Sequence, residues 1–468
     1  MRLALTHPVA ASSRPSYSLS AAFEKKAPAF IMAKKILDAL ALGSIPLSQL
    51  ESQLFSFGTG PTEHALLFYV LTRLLKDGTL ELEIAADMQP IARVQGVLPD
   101  LCDPLELPAL KLSRFTSLRP FDGSLIVETP FKPGRVVLLG DVGGLICTRL
   151  SQGTSLEALR ALSPIVNTGT ALPELVKSLI AIAAMETAEN GDVGALAQWE
   201  HHDAIFHART RGGRSLGARG GTYRFLGQRK PEPARPRREF GSPLDLPQAP
   251  PLAADAVTLQ RLLQQRRSLR TYGSRPLGAA ELGTFLRLVL RDFALIPADP
   301  SIHESYETLR RPYPGGGACH ELHVYPLVNR CDGLGRGIYC YDGRSDQLLR
   351  VAAMNSAAER LVKDAMHSMG SQMPPDVLLC IAARFGRVNW KYEGIAYSLI
   401  LKDVGVVLQT MYLAATALRL APCALGCGNT EDFLLATGNT PFEEETVGEF
   451  ALGSLPESAS NGEEASCV

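Results

Sequence analysis

The chain has 468 residues, with 47 basic and 48 acidic side chains, a formal net charge of −1 and 46% hydrophobic residues. That length points to two to four domains with sizeable cores. The balanced charge argues against a dedicated nucleic-acid binder, whose basic face usually tips the total. The nine cysteines are odd in number, scattered and without a Cys-x-x-Cys pair. This fits a reducing, cytoplasmic compartment and neither a disulfide framework nor a zinc knuckle. Cys423 and Cys427 lack His or Cys partners nearby, so no metal is expected there. No apolar run approaches transmembrane length, Ser178 to Met185 being the nearest, and no membrane partner is expected.

Residues 1–28 hold Arg2 and Arg14 and no acid before Glu24. They read as a flexible arm, with a hint of a transit peptide but no signal-peptide core. Helical stripes follow: Ile36, Leu37, Leu40 and Leu42; then Leu47, Leu50 and Leu54; then Leu66 to Leu74. Thr79 to Ile84 alternates with the strand period. Three helices and a strand are the order of a winged-helix module over 29–105. Its third helix carries few bases, which favours peptide or protein docking over DNA. A second small module is expected over 106–225. It has strands at Ser124–Glu128 and Arg135–Leu139 and helices at Ser155–Leu162 and Leu172–Thr187. Fold analogy makes it another winged helix. Trp199 to Arg209 clusters His, Glu and Asp, but the spacing fits no standard ligand set. A helix with Trp199, Ile205 and Phe206 inward is expected instead. The Arg-, Gly- and Pro-rich stretch from Gly212 to Glu239, with Arg229, Lys230, Arg235, Arg237 and Arg238, cannot bury enough apolar surface to fold alone. It reads as an extended strap, with the linker proper at 226–256.

The signals sharpen in a C-terminal domain over 257–457, ahead of a flexible tail at 458–468. A stripe of Leu259, Leu262 and Leu263 runs into Arg266-Arg267-Ser268-Leu269-Arg270. Guanidinium forks with a hydroxyl suit a phosphate. They equally suit a basic helix end, where cations meet the negative dipole. Pro314-Gly315-Gly316-Gly317 lets a backbone approach a flat ligand. It precedes a strand, Leu322–Val328, and not a helix, so neither the Rossmann nor the P-loop arrangement fits. Strands are expected at Gly337–Asp342, Val377–Ala383 and Phe450–Gly453. Lys391-Tyr392 stands before a long run, apolar nearly all round, which reads as a helix buried on every side. A Lys-Tyr pair alone is usually surface decoration.

The order Arg-Arg-Ser-x-Arg, Pro-x-x-Gly-Gly loop into a strand, Gly-x-Tyr-x-Tyr-Asp, Lys-Tyr, Gln-x-x-Tyr-Leu-Ala-Ala-Thr-Ala-Leu and Ala-x-Gly resembles the nitroreductase-like flavoproteins. It is most similar to their SagB/ThcOx branch, the azoline dehydrogenases of ribosomal peptide biosynthesis, including the cyanobactin-type thiazoline oxidases. The match spans about Leu259 to Gly453. Trp199 to His207 and Gly220 to Phe225 resemble that branch as well. The fold implied is α+β: a C-terminal nitroreductase-like FMN domain, a mixed sheet flanked by helices and dimeric, preceded by two winged-helix-like peptide-docking modules.

The resemblance implies FMN, held at its phosphate and ribityl chain by Arg266, Ser268 and Arg270, with Arg267 beside them. It places Pro314, Gly315 and Gly316 along the isoalloxazine, Leu425 and Gly426 along the ring through their backbone, and Gln409 on the helix. Family members often have Ser where this chain has Gly315, so that position offers only its backbone N–H. The implied reaction oxidises a thiazoline or oxazoline in a precursor peptide to the azole, with dioxygen reoxidising the flavin. Hydride goes to FMN and the α-proton to a base, Lys391, assisted by Tyr392. A useful lysine base needs burial or a neighbouring cation to lower its pKa. A homodimer is expected, and a cyclodehydratase is a candidate partner. The rival readings are a nicotinamide-dependent nitro- or quinone reductase of the same fold and a flavin-less peptide scaffold.

Overall fold

The computed structural model describes residues 1–5, 28–41, 43–54, 60–86, 89–99, 110–162, 170–186, 193–236, 240–247 and 258–456. Most of the expected arm, Leu42, linker residues 237–239 and 248–256, and the tail from 457 lie outside the described residues. The chain divides into two units, Met1–Gly217 and Ala218–Val468.

The first unit holds strands β1 (Arg2–Leu5), β2 (Ile45–Pro46), β3 (Leu80–Ala86), β4 (Gln89–Gln95), β5 (Ser117–Phe121), β6 (Ser124–Glu128) and β7 (Arg135–Leu138). Its helices are α1 (Pro28–Leu40), α2 (Leu47–Leu54), α3 (Pro61–Lys76), α4 (Gly140–Gln152), α5 (Leu156–Arg160), α6 (Ala171–Ala181) and α7 (His201–Thr210). Pro61 opens α3, where its missing N–H costs nothing. Leu67, Val70, Leu71 and Leu74 of α3 recur at helical spacing and are fully buried.

The seven strands form one antiparallel sheet in the order β2-β1-β3-β4-β7-β6-β5. The two modules expected at 29–105 and 106–225 share this sheet and a single core. They join where β4 pairs with β7, Ala92 facing Leu138 and Val94 facing Val136. Each edge strand alone would leave a row of N–H and C=O groups unpaired, and pairing them removes both edges. Part of the expected arm is likewise ordered: Leu3 and Leu5 pair with Leu82 and Leu80. In α7 the inward residues are Ala204 and Ala208, while Trp199 and Phe206 remain 40% and 37% exposed. The helix is held by polar contacts instead, His201 to the Ser117 hydroxyl (3.2 Å) and Arg209 to Glu128 (2.5 Å).

The second unit holds β8 (Gly220–Gly221), β9 (Pro243–Asp245), β10 (Ala294–Ile296), β11 (Thr308–Arg310), β12 (Leu322–Val328), β13 (Gly337–Asp342), β14 (Gln347–Ala352), β15 (Val377–Arg384), β16 (Tyr392–Glu393), β17 (Leu420–Leu425) and β18 (Glu444–Ser454). Its helices are α8 (Leu259–Gln265), α9 (Ala279–Leu290), α10 (Ser356–Met369), α11 (Phe385–Asn389), α12 (Ala396–Ala417) and α13 (Thr430–Thr437). The main sheet runs β17-β18-β15-β12-β13-β14-β9. Side chains alternate across it with period two. Val324, Leu379 and Ile381 face a layer with Phe285 of α9 and Val407 of α12. Tyr325, Leu378 and Cys380 face a layer with Leu361 of α10 and Phe433 of α13. The result is an α+β domain with a nitroreductase-like sheet covered on both faces. The expected strap contributes β9, paired to β14, and an ion pair between Arg235 and Asp292 (2.8 Å).

Helix α12 departs from its expected burial. By length and composition it could cross a membrane. Here Ile400, Val404, Val407, Met411 and Ala415 point into the domain core. Tyr397, Leu401, Gly405 and Gln409, one every four residues, form an exposed stripe. Leu259 and Leu263 of α8 are exposed too. The all-round apolar sequence therefore marks a helix with a second apolar face open on this chain.

Asp376 fastens the end of the sheet. Its buried carboxylate accepts the N–H groups of Leu277 (2.9 Å) and Ser454 (3.1 Å) and pairs with Arg330. Asp376→Ala leaves two N–H groups and a guanidinium without their acceptor. A loss of about 3–5 kcal/mol is expected, read as a lower denaturant midpoint at unchanged slope.

Candidate functional site

The glycine-rich loop is the centre of the site. Between β11 and β12, Gly317, Ala318 and His320 all adopt positive φ, at 61°, 54° and 47°. Two of these are not glycine, so the loop stores backbone strain that its surroundings must hold. Gly317 lies under Lys391 and Tyr392: a Cβ there would sit 2.5 Å from the Tyr392 hydroxyl and 2.9 Å from Lys391 Nζ. Only glycine fits. Gly316 N–H donates to Asp403 Oδ2 on α12 (2.8 Å), and the Gly317 carbonyl accepts from the Tyr306 hydroxyl. A Cβ on Gly315 would lie 3.2 Å from His320 Nδ1, so this loop leaves little room for the serine often found there. Pro314 is exposed at the loop's outer end.

Lys391 is half-buried and donates to Tyr306 Oη (2.8 Å). Its Nζ lies 4.9, 5.2 and 5.7 Å from the ring centroids of Tyr306, Tyr392 and Tyr223. Aromatic faces attract an ammonium at this range. Tyr223 is brought there by β8 pairing with β16, Gly221 facing Tyr392, and by its N–H donating to the Lys391 carbonyl (3.1 Å). Burial pulls the lysine pKa down, as expected from the sequence. The Tyr306 hydrogen bond and the surrounding tyrosines outweigh it, and the net direction is up. This corrects the expectation of a lowered pKa. Burial pushes the Tyr306 phenol up to about 12.

Arg387, 2% exposed, holds the wall behind this dyad. Its guanidinium stacks 5.3 Å from the Tyr306 ring centroid and donates to the carbonyls of Cys319 (3.0 Å) and Glu232 (2.7 Å). Trp390 Nε1 donates to the Arg229 carbonyl (2.7 Å). The expected strap is thus part of the site's scaffold.

The arginine segment sits at the other end of α12. Ser268 Oγ hydrogen-bonds Tyr412 Oη (2.6 Å), which accepts the Ala424 N–H (2.9 Å), and Leu269 N–H donates to the Pro422 carbonyl (2.8 Å). The structure therefore brings the segment Arg266–Arg270 beside β17, which ends at Leu425, just before Gly426. Arg266 stacks over the Tyr412 ring at 5.1 Å. Among the described residues none of Arg266, Arg267 and Arg270 pairs with a carboxylate. Guanidinium forks beside a hydroxyl fit a phosphate. Asp403, on the glycine loop, and Tyr412, on the arginine segment, are nine helical residues apart, about 13–14 Å at 1.5 Å per residue. One rigid helix connects the two ends. Gln409 lies on its exposed stripe.

Tyr306, Arg387, Asp403 and Tyr412 are the site residues the sequence did not single out. Only Tyr412 lay within a quoted motif. Elsewhere, Glu200, His202 and Asp203 bring ligand atoms within 4.8 Å of one another, at exposed positions. His202 lies between the two acids, Nδ1 3.5 Å from Glu200 and Nε2 3.4 Å from Asp203.

Gly317→Ala tests the fit of the loop. A left-handed alanine costs about 1–2 kcal/mol, and its methyl group displaces Tyr392. A lower melting temperature together with weakened flavin retention is the expected result, and wild-type values for both contradict the geometry.

A cyanobactin oxidase ThcOx model matches residues 110–216, and a nitroreductase family model matches residues 263–454. The putative nitroreductase MJ1384 of Methanocaldococcus jannaschii is 28% identical over 172 residues, 37% of this chain and 80% of its own length. A putative nitroreductase structure from Anabaena variabilis shares 19% identity, covering 53% of this chain and 45% of that one, at a TM-score of 0.38. This chain thus spans less than half of that protein. The E. coli microcin synthetase McbBCD complex with truncated pro-MccB17 bound shares 18%, covering 44% and 76%, at 0.34. A nitroreductase with bound FMN from Bacteroides fragilis shares 16%, covering 46% and 95%, at 0.27. The chain thus carries a nitroreductase-family region over residues 263–454 and a region over residues 110–216 that matches the cyanobactin oxidase ThcOx model.

Proposed function

We propose that this protein oxidises thiazoline or oxazoline rings in a precursor peptide to the aromatic azoles, with FMN as cofactor. The observation that carries the reading is the position of Lys391, bonded to Tyr306 and packed against the glycine-rich loop. The ThcOx match over 110–216 supports the peptide substrate. Arg266, Ser268 and Arg270, with Arg267, would hold the FMN phosphate, and Gly315, Gly316, Leu425 and Gly426 would border its ring. Bound there, FMN supplies a hydride acceptor, and dioxygen is the terminal oxidant.

Two hydrogens leave the azoline. One departs as hydride; the other leaves the α-carbon as a proton and needs a base. Lys391 takes that proton as the neutral amine, and Tyr392, fixed over Gly317, orients the ring or relays. The raised pKa of Lys391 makes the ammonium its resting form. The Tyr306 phenol, pushed up to about 12 by burial, is neutral at pH 7 and attracts Lys391 through its hydrogen bond and its ring face. Substrate entry strips water from the amine and favours its neutral form.

The N-terminal region docks the peptide, and the exposed stripe of α12, with Tyr397 and Leu401, supports a homodimer. A cyclodehydratase that makes the azoline is the natural supplier of substrate. A second reading, a nicotinamide-dependent nitro- or quinone reductase, is favoured by the MJ1384 match. It needs neither a lysine base nor peptide docking.

Mass spectrometry on a thiazoline peptide with FMN and dioxygen tests the reading. Loss of two hydrogens is expected; turnover only with a nicotinamide donor and a nitroarene selects the rival. Lys391→Ala should retain FMN and lose about 10²–10⁴-fold in azole formation. A wild-type rate in that variant removes the base. Tyr306→Phe deletes the hydrogen bond that raises the Lys391 pKa. Activity should then reach its high-pH plateau at lower pH than in wild type, and an unmoved profile would show that Tyr306 does not tune the lysine.

A further inference from the structure

Beneath the glycine-rich loop lies a buried acid that the reaction above does not use. Glu321, the residue before β12, is 0% exposed. Among the described residues no other residue donates a hydrogen bond to either of its carboxylate oxygens, and the donor turned toward them, which works against a proton there, is its own backbone N–H. The group that faces it is a second carboxyl, Asp403, 8% exposed, whose Oδ2 accepts the Gly316 N–H at 2.8 Å. Two carboxylates in contact cannot both stay ionised in so dry a place, and two acceptors have no hydrogen to share. A single proton between them resolves both problems.

We propose that Glu321 and Asp403 hold one proton in common, and that this proton keeps the strained loop Gly315–His320 seated on α12 in the form that meets Lys391 and the flavin. The proton sits on Glu321 and is donated to Asp403. Asp403, still an anion, then accepts from both Glu321 and Gly316. These are positioning residues, acting through Gly316. The inference rests on the flavin reading only for what the loop presents; the shared proton itself does not depend on it.

The surroundings favour this arrangement. Burial, then the charge of Asp403, push the Glu321 carboxyl up to about 8. Burial also raises Asp403, against the lowering pull of the Gly316 N–H, of Glu321 and of Lys402 on its own helix. Arg311 is the cation that works against the proton on Glu321, but it is already engaged by Asp292 (2.8 Å), Tyr313 Oη (3.0 Å) and the Leu322 carbonyl (2.8 Å). Tyr313 faces Glu321 as well, its own phenol pushed up by burial. His320 does not supply a charge: burial, then Arg311, lower it to about 4, so it is neutral, and among the described residues its Nδ1 has no partner. Arg387 faces His320 and Cys319.

The sign follows. Glu321 binds its proton more tightly folded than unfolded, so its contribution to stability is full below pH 4.5, the ordinary glutamate value, and is lost as pH rises toward 8. Loss of the proton leaves two facing anions under a loop with three positive-φ residues, and the loop loosens.

The test uses the full-length protein with FMN added. Infrared difference spectra between pH 7 and 9 should show the carbonyl stretch of a protonated acid at pH 7, absent in Glu321→Gln. FMN affinity in wild type should weaken roughly tenfold from pH 7 to 9 as the competent fraction falls. Glu321→Gln, whose amide N–H replaces the proton, should bind FMN as wild type does at pH 7 and keep that affinity at pH 9. A wild-type spectrum with no protonated acid at pH 7 overturns the proposal. So does a Glu321→Gln variant with the wild-type fall in FMN affinity. If Glu321→Gln does not fold, the wild-type spectrum alone decides. If FMN never binds, the flavin reading fails while the infrared signal still decides the shared proton.

Discussion

The contact on which the rest depends is the grip on Gly316 and Gly317. Asp403 takes the Gly316 N–H from one side, and Tyr306, Lys391 and Tyr392 crowd Gly317 from the other. A loop with three left-handed residues among the four from Gly317 to His320 is not a resting state of a free chain. It persists because α12, α11 and the short β8–β16 ribbon each fix one of its neighbours. The same contacts place the lysine, so the geometry of the proposed base and the shape of the proposed ring site are one arrangement.

Helix α12 gives this arrangement its reach. Its N-terminal half carries Asp403, and its C-terminal half carries Tyr412, which ties down Ser268 and the end of β17. A helix buried against a sheet transmits position with little loss, because its core side chains interlock. The arginines that suit a phosphate and the lysine that suits a proton are therefore set at a fixed separation. The opposite face of the helix, with Tyr397, Leu401, Gly405 and Gln409, is exposed on this chain.

Charge in the site is arranged with some economy. Lys391 is held among tyrosines, and its hydrogen bond goes to the Tyr306 hydroxyl. Arg387 and Arg311, by contrast, are immobilised by carbonyls, a phenol and Asp292, and serve as framework. Glu321 and Asp403 add a pair of acids whose combined charge depends on pH.

Local signals in the sequence determined a good deal. The strands at Leu322–Val328 and Gly337–Asp342 follow from apolar content bounded by turn residues, and they occur at those bounds. The order of Arg-Arg-Ser-x-Arg, glycine loop, Lys-Tyr and long apolar helix was enough to indicate the nitroreductase-like FMN domain. It also named Lys391, Ser268 and the glycines. Only the tertiary structure decided what depends on residues far apart in the chain. Tyr306 and Lys391 are 85 positions apart, Gly316 and Asp403 87, and Ser268 and Tyr412 144. No local pattern distinguishes Tyr306 or Asp403 from any other tyrosine or aspartate. The same holds for the N-terminal region, where two modules read separately share one sheet, because edge pairing between β4 and β7 leaves no mark in the periodicity of either strand. It holds too for the direction of the Lys391 pKa: a sequence can say that a lysine is near an apolar helix, but the balance between lost water and a gained hydrogen bond is set by atoms that meet only in the folded chain.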